Sequence, residues 1–389
     1  MSEEKRKIRV LRVISRLNTG GPARHVSILG ARMDPEAFEC LLAAGVVMEY
    51  EGDMSHLPKE LGAETVTVPT LRREISLVDD LRSFFGLRKI IREFRPDVVH
   101  THASKAGALG RMAAWLAGVP VLVHTFHGHV FRGYFGERKT GMLIRLERFL
   151  AKRSAAIVTL CESQRNEIAE TYRIAPKEKV RVIPLGLDLE PFRRTERNAG
   201  TLRGMIGAGT DTPVVATVGR LVRIKDQRTF LRAAKGVLEE IPDARFAVVG
   251  DGEERSDLES FCAELGITDA VTFTGWVDEI SRVYADADVF ALSSVNEGTP
   301  VSVIEAMASG CCVAATRAGG TVDVIRDGED GLTVPVRDDG ALADSIVRAL
   351  RDRELRERLG AAARESSRRY DAARLVTDIE NLYRELLTP

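Results

Sequence analysis

Short apolar runs rich in Val and Ile alternate with segments of helical periodicity along most of the chain, and this alternation constrains the fold more than any other feature. Strands and helices that alternate in this way form parallel sheets covered by helices on both faces. The pattern therefore predicts an α/β fold. The predicted strands lie at 8–15, 38–45, 64–69, 97–102, 121–127, 155–160, 180–185, 213–219, 245–250, 271–275, 289–294, 311–316 and 332–336.

The alternation stops once, around 186–212, where Gly, Asp, Pro and charged residues take its place. Because a chain of 389 residues exceeds the length that one hydrophobic core usually serves, this stop predicts a domain boundary. The predicted domains are 1–190 and 191–370, each a doubly wound, Rossmann-like unit. The last segment, 371–389, has apolar residues at helical spacing and should bury one face. Two such domains are expected to face a cleft at the carboxyl ends of their strands, where open α/β sheets bind ligands.

Charge and cysteine content exclude several classes of protein. With 56 basic and 57 acidic residues, the chain lacks the excess of Lys and Arg on which a dedicated nucleic-acid binder depends. Its five cysteines are scattered without C-x-x-C spacing, so they predict no disulfide framework and indicate a reducing compartment. Arg9 and Arg12 interrupt any signal-peptide apolar region, and no run approaches the roughly 18 apolar residues of a membrane span. We therefore expect a cytoplasmic protein.

The stretch Asn296–Gly310 reads as a loop and a helix that follow an apolar strand. Pro300 suits a first helical turn, and the residue just past the helix end is a glycine, so the helix is predicted over 300–309. Its N-terminus, with Gly298, Thr299 and Pro300, could hold an anion or a ring of hydroxyls. Glu297 lies just before this terminus and Glu305 lies inside the helix. The two carboxylates could bind two parts of an elongated polyhydroxylated ligand, or they could be a dipole-complementing acid and a solvated helix residue.

Two further loops follow predicted strands and precede predicted helices. In the first, Gly20 and Gly21 permit close approach of a ligand to a helix start that favours phosphate, although such a pair is also common in a tight turn. The loop lacks G-x-G-x-x-G, so we infer no nicotinamide cofactor. In the second, Arg220 and Lys225 could converge on one diphosphate, or they could be two cations of an ordinary surface loop.

Together these motifs resemble the signature of the family 4 glycosyltransferases, which are retaining enzymes of the GT-B fold that use nucleotide sugars. The resemblance covers nearly the whole chain, and the three main motifs occur in the family's order. It implies that Glu297 contacts the donor sugar and that Glu305 contacts the ribose. It also places Gly20 and Gly21 beside the donor diphosphate, and it implies that the segment 371–389 crosses back to pack on the first domain.

The same resemblance assigns the two cations to the diphosphate. Family members carry Gly-Arg at this strand end, which corresponds to Arg220, and a lysine in this loop, which corresponds to Lys225. The lysine is often followed by glycine in the family, whereas this chain has Asp226. The departure bears on the path of the loop backbone and not on the cation.

All seven histidines lie between His25 and His129. Alternation along a regular strand would send His124 and His127 to opposite faces, and no cysteine or carboxylate with ligand spacing accompanies them, so we predict no metal site. The resemblance matches His127 to the residue that contacts the donor sugar from the acceptor side. It leaves open whether His129 contacts the acceptor or supports its neighbour.

Loop residues at other strand ends complete the predicted donor site. Gly250 and Asp251 end one strand, and Trp276 and Val277 follow another, so both pairs could form walls for the nucleobase and ribose or could be simple turns. Farther along, the pair at 319–320 resembles the family's cleft loop.

One motif suggests a metal but is better explained by its position. Asp286 and Asp288 match the D-x-D with which many other glycosyltransferases hold a divalent cation. Here the motif ends a predicted helix and leads directly into a strand, so we predict capping and connecting roles. The predicted enzyme requires no cofactor and no metal, and the nucleotide sugar is its co-substrate.

Residues 71–95 contain seven basic and four acidic residues around an apolar helix face. Most charge runs of this kind are solvated helix faces. The alternative is contact with an anionic membrane, which a lipid-linked acceptor would require.

The sequence therefore predicts a retaining glycosyltransferase that moves a hexose or N-acetylhexosamine from a nucleoside diphosphate sugar, with UDP favoured, to a hydroxyl. The acceptor is a sugar, a lipid-linked molecule or another small molecule, in cell-surface polysaccharide or glycolipid assembly. The expected location is the cytoplasm, with peripheral contact at the inner face of the membrane as an option. The alternatives are an epimerase or hydrolase of the same fold and a catalytically silent nucleotide-sugar-binding protein.

Overall fold

The computed structural model describes residues 6–18, 20–48, 52–72, 74–128, 131, 136–197 and 200–388. Two compact units divide the chain: one comprises Met1–Leu187 with Asp371–Pro389, and the other comprises Asp188–Tyr370. Each contains a parallel sheet with helices, so the predicted α/β fold with two such sheets is confirmed. Among the described residues, no helix combines the length and the apolar character that a membrane span requires.

The sheet of the first unit has seven parallel strands in the order β3-β2-β1-β4-β5-β6-β7. Chain order reverses between β1 and β4, which makes that junction the switch point of the sheet. Both faces are covered: Val10 packs into one hydrophobic cluster and Leu11 into another. The strands are β1 Ile8–Ile14, β2 Phe38–Ala44, β3 Thr65–Thr67, β4 Val98–His102, β5 Val121–Phe126, β6 Ala156–Thr159 and β7 Val180–Val182.

The helices of the first unit are α1 Gly21–Arg32, α2 Leu57–Glu60, α3 Leu77–Phe94, α4 Ser104–Leu116, α5 Glu137–Arg153, α6 Glu162–Asn166 and α16 Ala372–Leu387. Residues 77–94 of the basic run 71–95 form α3. Ser76 caps it by accepting a hydrogen bond from the amide of Asp79 at 3.3 Å, and Asp79 and Asp80 complement the helix dipole. The helix ends where Arg95 takes a left-handed conformation with φ of 47°.

The terminal helix α16 packs on the first unit, as the resemblance implied. Leu375, Ile379 and Tyr383 of its apolar face are buried in the same cluster as Val10. At Gly186 the chain approaches α16 so closely that an added Cβ would lie 2.4 Å from Leu375 Cβ. The Tyr383 hydroxyl lies 2.6 Å from a ring nitrogen of His100 and joins the helix to β4.

The sheet of the second unit has six parallel strands in the order β10-β9-β8-β11-β12-β13, and its switch point lies between β8 and β11. The strands are β8 Val214–Val218, β9 Arg245–Val249, β10 Val271–Gly275, β11 Val289–Leu292, β12 Cys312–Thr316 and β13 Leu332–Val334. The helices are α7 Glu190–Arg194, α8 Thr201–Met205, α9 Gln227–Glu240, α10 Arg255–Leu265, α11 Ile280–Asp286, α12 Val301–Ala308, α13 Thr321–Val324, α14 Asp339–Arg351 and α15 Arg353–Ser366.

The helix predicted over 300–309 is therefore slightly shorter. Pro300 precedes the first turn as the N-cap, with φ of −74° and ψ of 94°, and the helix ends before Ser309. Gly310 follows with a positive φ of 71°, which is the glycine role that the sequence indicated.

Candidate functional site

The loops that carry the predicted donor residues lie at the switch point of the second sheet. The loop 219–226 follows β8 and the loop 293–300 follows β11, and these two strands are neighbours on either side of the reversal. In open α/β sheets this is the place where adjacent loops diverge and leave a crevice for a ligand.

Lys225 and Glu297 form an ion pair across these loops. Lys225 Nζ lies 2.5 Å from Glu297 Oε1, and their side chains are 22% and 10% exposed. The Ser294 hydroxyl donates to the same carboxylate oxygen at 2.6 Å. A partly buried charge is stable when it is paired and hydrogen-bonded in this way. The result is a fixed cation beside a fixed carboxylate at the carboxyl edge of the sheet.

Backbone hydrogen bonds hold the two loops together. The amide of Val295 donates to the carbonyl of Ile224 at 2.9 Å, and the Ser293 hydroxyl donates to the carbonyl of Lys225 at 3.1 Å. The Gly-Gly pair after β12 supports the other side of the acidic loop. A Cβ added to Gly319 would lie 2.1 Å from the carbonyl oxygen of Glu297. A Cβ added to Gly320 would lie 1.7 Å from the carbonyl oxygen of Gly298. No side chain can occupy either position without displacing the loop.

Asp226, which stands where the family often has glycine, takes the conformation that a glycine would provide. Its φ of 46° and ψ of 49° are left-handed, and aspartate tolerates this region better than most residues. Its carboxylate accepts a hydrogen bond from the Thr229 hydroxyl at 2.8 Å. Asp226 therefore provides a left-handed turn between the short 3-10 helix Arg223–Lys225 and α9.

Arg220 is exposed, and within the described part of the chain its side chain has no hydrogen bond or ion pair. Its backbone position is fixed, because its carbonyl accepts from Gln227 Nε2 at 3.0 Å. Lys225 passes close by: a Cβ on Gly219 would lie 3.8 Å from Lys225 Cε. The structure therefore leaves one of the two predicted cations exposed and pairs the other.

Glu305 is buried and not solvated. Only 5% of it is exposed, and it accepts a hydrogen bond from the Tyr284 hydroxyl of α11 at 3.0 Å. Thr299 and Gly298 lie at the N-terminal side of the same helix, next to Glu297, with Thr299 half-buried and Gly298 exposed.

The residues predicted as nucleobase and ribose walls occupy the neighbouring strand ends. A Cβ on Gly250 would lie 2.1 Å from the carbonyl oxygen of Gly219, and the amide of Gly250 donates to the carbonyl of Gly275 at 2.8 Å. Asp251 accepts from the amide of Gly252 at 2.7 Å and pairs with Arg255 at 3.0 Å.

These two contacts lower the pKa of Asp251, the backbone hydrogen bond first and Arg255 second. Trp276 is 60% exposed, which leaves its ring available to a planar ligand, and Val277 beside it is half-buried.

The two aspartates of the D-x-D motif have protein partners. Asp286 is fully buried and accepts hydrogen bonds from the amides of Gly200 at 2.8 Å and Leu202 at 2.7 Å, at the start of α8. Asp288 accepts from Arg203 Nη2 at 3.0 Å and from the amide of Val214 at 2.9 Å. Both carboxylates therefore connect α8 to the adjoining helix and strand.

The first unit gathers five histidines near its own switch point. His102 Nδ1 lies 3.0 Å from His127 Nε2, and the His25 ring lies with its centroid 4.8 Å from that of His127. His100 contacts the hydroxyl of Thr125 at 2.7 Å, while His124 on the other face lies 2.9 Å from that of Thr101. His124 and His127 thus lie in two different environments, as alternation along the strand predicted.

Burial keeps these histidines neutral. Desolvation is the largest cause and lowers the pKa of His127 to about 4. It lowers the pKa of His25, His100, His102 and His124 well below the ordinary value, and nearby histidines and buried arginines reinforce it. The ligand atoms of His25, His102 and His127 lie within 4.8 Å of one another, the one such group among the described residues. His129 lies outside the described residues.

Gly20 and Gly21 open α1. Gly20 has φ of 153°, a backbone conformation that side chains rarely adopt, and the only neighbour an added Cβ would meet among the described atoms is Pro22 Cδ at 3.7 Å. Backbone conformation and not crowding within the first unit is therefore what requires glycine here.

Two residues of the second unit contribute to the site without having been predicted. Ser294 could have been found, because a serine at a strand end three residues before Glu297 is well placed to donate to it. Tyr284 carried no signal, because its contact with Glu305 depends on how α11 packs against α12.

Comparison with known proteins places these features in a family. The model of the family described as "Glycosyl transferases group 1" matches residues 201–366, and that of the "Glycosyl transferase 4-like domain" matches residues 20–186. The chain is 34% identical over 293 residues to the Escherichia coli UDP-Gal:alpha-D-GlcNAc-diphosphoundecaprenol alpha-1,3-galactosyltransferase. The aligned region covers 74% of this chain and 75% of the relative. It is 32% identical over 310 residues to the D-inositol 3-phosphate glycosyltransferase of Saccharomonospora viridis, which covers 75% and 70%.

Solved structures show the same fold. The crystal structure of Anabaena Alr3699/HepE in complex with UDP and glucose superposes with a TM-score of 0.81 at 19% identity, and it covers 97% of this chain and 100% of that one. The predicted fold class is confirmed.

Proposed function

The chain belongs to the group 1 glycosyltransferases, of the GT4 type and GT-B fold, and from that membership we propose that it is a retaining enzyme that transfers a hexose or N-acetylhexosamine from a UDP-sugar to a hydroxyl of a lipid-linked acceptor. The observation that carries the proposal is the Lys225–Glu297 pair at the switch point of the second sheet. It provides a cation for a diphosphate and a carboxylate for sugar hydroxyls, a few ångströms apart.

The choice of donor and acceptor is supported by the relatives. The Escherichia coli relative is named for UDP-Gal and for an acceptor on diphosphoundecaprenol, and the Anabaena structure holds UDP and glucose. We propose the same donor nucleotide and a lipid diphosphate acceptor for this chain. A water-insoluble acceptor also implies contact with a membrane surface, which the sequence analysis gave for residues 71–95 as the alternative to a solvated helix face.

In the proposed mechanism the bond between the anomeric carbon and the diphosphate breaks, and the leaving group takes the electron pair. Lys225, Arg220 and the N-terminus of α12 near Thr299 offset its charge, so two fixed cations perform the work of a metal ion. The acceptor hydroxyl attacks from the face that the leaving group departs, so the configuration at the anomeric carbon is retained. The proton of this hydroxyl passes to a departing phosphate oxygen. Glu297 orients the donor sugar and Glu305 holds the ribose. The resemblance to the family assigns neutral His127 to a contact with the sugar.

The test is release of the nucleoside diphosphate, UDP or GDP, from a panel of UDP- and GDP-sugars, with and without a polyprenyl diphosphate sugar as acceptor. Release that depends on the acceptor, with an α-linked product from an α-linked donor, supports the proposal. Release without acceptor indicates a hydrolase, a changed sugar without release indicates an epimerase, and binding alone indicates a silent protein.

The same assay tests metal independence. Excess chelator should leave turnover unchanged, whereas Lys225→Ala or Arg220→Ala should lower it about 10²- to 10³-fold, the usual effect of losing one such electrostatic group. Lys235→Ala is the matched control, because Lys235 is an exposed lysine on α9 away from the loop. Loss of activity in chelator that magnesium or manganese restores would contradict the assignment of the cations.

A further inference from the structure

Exposed apolar side chains of the first unit gather where the end of α4 meets the outer face of α5. Trp115 is 42% exposed, Leu116 52%, Met142 61%, Leu146 37% and Phe149 43%. On α5 they recur at intervals of four and three residues, which places them in one stripe along the helix. The Trp115 and Phe149 rings meet edge to face with centroids 6.2 Å apart, so the stripe continues onto α4. We call these five residues, with the basic residues of α5 beside them, the α4–α5 surface.

Basic side chains flank the stripe. Arg138, Arg145 and Lys152 recur every seven residues and therefore form a row along one side of it. All three are exposed, and their side chains make no hydrogen bond or ion pair with any residue that the structure describes. In all, α5 contains six basic and two acidic residues.

One of those two acidic residues is withdrawn from the surface. Glu147 is buried and pairs with Arg111 of α4 at 2.6 Å, which also fixes the two helices to each other. Arg153 lies over both aromatic rings, with its Cζ 4.1 Å from the Trp115 centroid and 3.9 Å from that of Phe149. The exposed part of the α4–α5 surface is therefore strongly cationic, apolar along its centre and rigid.

Helix α3, for which the sequence analysis gave membrane contact as an alternative, has a smaller net positive charge than α5. It contains four basic and three acidic residues. Asp79 pairs with Arg82 at 3.6 Å, Glu93 pairs with Lys89 at 3.8 Å, and Asp80 pairs with Lys105 of α4. Its exposed Leu77, Val78, Leu81 and Phe85 thus lie beside charges that largely neutralise one another.

We propose that the α4–α5 surface docks on an anionic lipid bilayer. Aromatic and aliphatic side chains enter the interface between headgroups and acyl chains, while the row of cations contacts the phosphates of anionic lipids. The surface gives the enzyme access to the lipid-linked acceptor of the proposed function, on which the purpose of the docking rests. The docking itself requires neither donor nor turnover.

The two tryptophans of the chain permit a local measurement. In a Trp276→Phe variant Trp115 is the only tryptophan, and its emission reports on the α4–α5 surface. Vesicles of phosphatidylcholine with phosphatidylglycerol should shift this emission to shorter wavelength and should sediment the protein. Vesicles of phosphatidylcholine alone should do neither. Binding should weaken as the Debye length falls from about 10 Å at 0.1 M salt to about 3 Å at 1 M.

The decisive comparison uses two triple variants that each remove three cations from one helix; all three are exposed on α5, and Lys89 and Arg92 are exposed on α3. Arg138→Gln with Arg145→Gln and Lys152→Gln should weaken partitioning about 100-fold, since each basic residue near the surface contributes roughly a fivefold factor. Arg88→Gln with Lys89→Gln and Arg92→Gln on α3 is the matched control and should leave partitioning within about threefold of the parent. Circular dichroism checks that both variants fold.

Several outcomes would overturn the proposal: no binding to anionic vesicles, an equal loss in both triple variants, or an equal response to neutral vesicles. A shift of Trp115 emission on concentrating the protein alone, with a doubling of mass by light scattering, would assign the surface to a second copy of the chain. A protein that docks as expected but releases UDP from no donor would support the docking and contradict the proposed function.

Discussion

Two residues of the candidate donor site, Lys225 and Glu297, are paired with each other. Lys225 and Glu297 neutralise each other at 2.5 Å, and Ser294 satisfies the same carboxylate oxygen. If a donor diphosphate binds here as proposed, it has to share or replace an existing partner of Lys225, whereas Arg220 is exposed. The pair keeps both side chains fixed, which favours electrostatic preorganisation over strong ground-state binding.

Glu305 is buried, so the structure excludes the solvated position that the sequence left open, and its contact with the ribose stays a prediction. If its carboxylate holds the ribose, Glu305→Gln should weaken binding of free UDP about 10- to 100-fold, because a charged hydrogen bond is replaced by a neutral one. Tyr284→Phe removes the hydrogen bond seen in the structure and keeps the carboxylate, so its UDP affinity should stay within about threefold. Titration calorimetry with UDP measures both, and equal losses in the two variants would assign Glu305 a purely structural role.

The sequence predicted charged residues of the site but not the residues that position them. Glu297, Arg220 and Lys225 stand next to strand ends, but their positions alone left each open to an ordinary surface role, and the resemblance to a family singled them out. Tyr284 and His102 depend on which helices and strands become neighbours, and no local pattern encodes that. The same limit explains why Glu305 was open to a solvated interpretation: its position within a helix does not say which face is buried.

At the scale of elements, the strands were predictable because both faces of each sheet are covered. A fully buried strand has a continuous apolar run, as in Val289–Leu292, and helices separate one run from the next. Most strands were predicted a residue or two too long, whereas 271–275 was predicted with its observed bounds. The largest excess is three residues at the end of β7, where buried Ile183 and Leu185 continue the apolar run after the ladder stops. The α4–α5 surface was not predicted from the sequence. Helix α5 has basic and apolar residues around much of its circumference, and only the packing of the helix shows which of them remain exposed.

The Gly-Gly pair after β12 supports the Glu297 loop through close backbone packing and not through charge, and this permits a test. Gly320 has φ of −68°, which suits any residue, so its requirement for glycine is spatial. Gly320→Ala would place Cβ 1.7 Å from the carbonyl oxygen of Gly298 and must displace the Glu297 loop. We expect it to lower the free energy of unfolding by about 1 to 3 kcal/mol and to reduce turnover through misplacement of Glu297.

Gly204→Ala in α8 is the matched control for this variant. Among the described residues, no atom lies within 4 Å of an added Cβ there, and alanine favours a helix by about 0.5 to 1 kcal/mol over glycine. Urea unfolding and UDP release should therefore show a neutral or stabilised protein. Full activity and stability in Gly320→Ala would contradict the role of the Gly-Gly pair as a support for the acidic loop.

For the whole molecule, the distribution of histidines distinguishes the two units. All seven lie in the first unit, and the segment Asp188–Tyr370 contains none. Five of them are packed between β4, β5 and α1, where burial lowers their pKa values, so we expect the first unit to be more sensitive to acid than the second. Net charge and composition give no hint of this, because they average over both units.

Acidification should therefore destabilise the first unit selectively. A histidine whose pKa is lowered in the folded state binds its proton more readily when unfolded, so its contribution to stability is full above about pH 6.5 and is lost as the pH falls. Each such group removes about 1.4 kcal/mol per pH unit until its folded pKa is reached, which for His127 is about 4. Between about pH 6.5 and 5 most carboxylates stay ionised, so the second unit should change little.

Hydrogen exchange with peptide-level mass spectrometry, corrected for intrinsic rates, measures the two units separately in one sample of the whole chain. Protection of peptides from β4, β5 and α1 should fall steeply over this pH range while that of β8, β11 and β12 persists. His25→Phe keeps a buried ring and removes one titrating group, both of whose ring nitrogens lack a partner among the described residues, so it should reduce the slope by about 1.4 kcal/mol per pH unit. Equal loss of protection in both units would show that charge repulsion throughout the chain, and not the histidine cluster, governs acid unfolding.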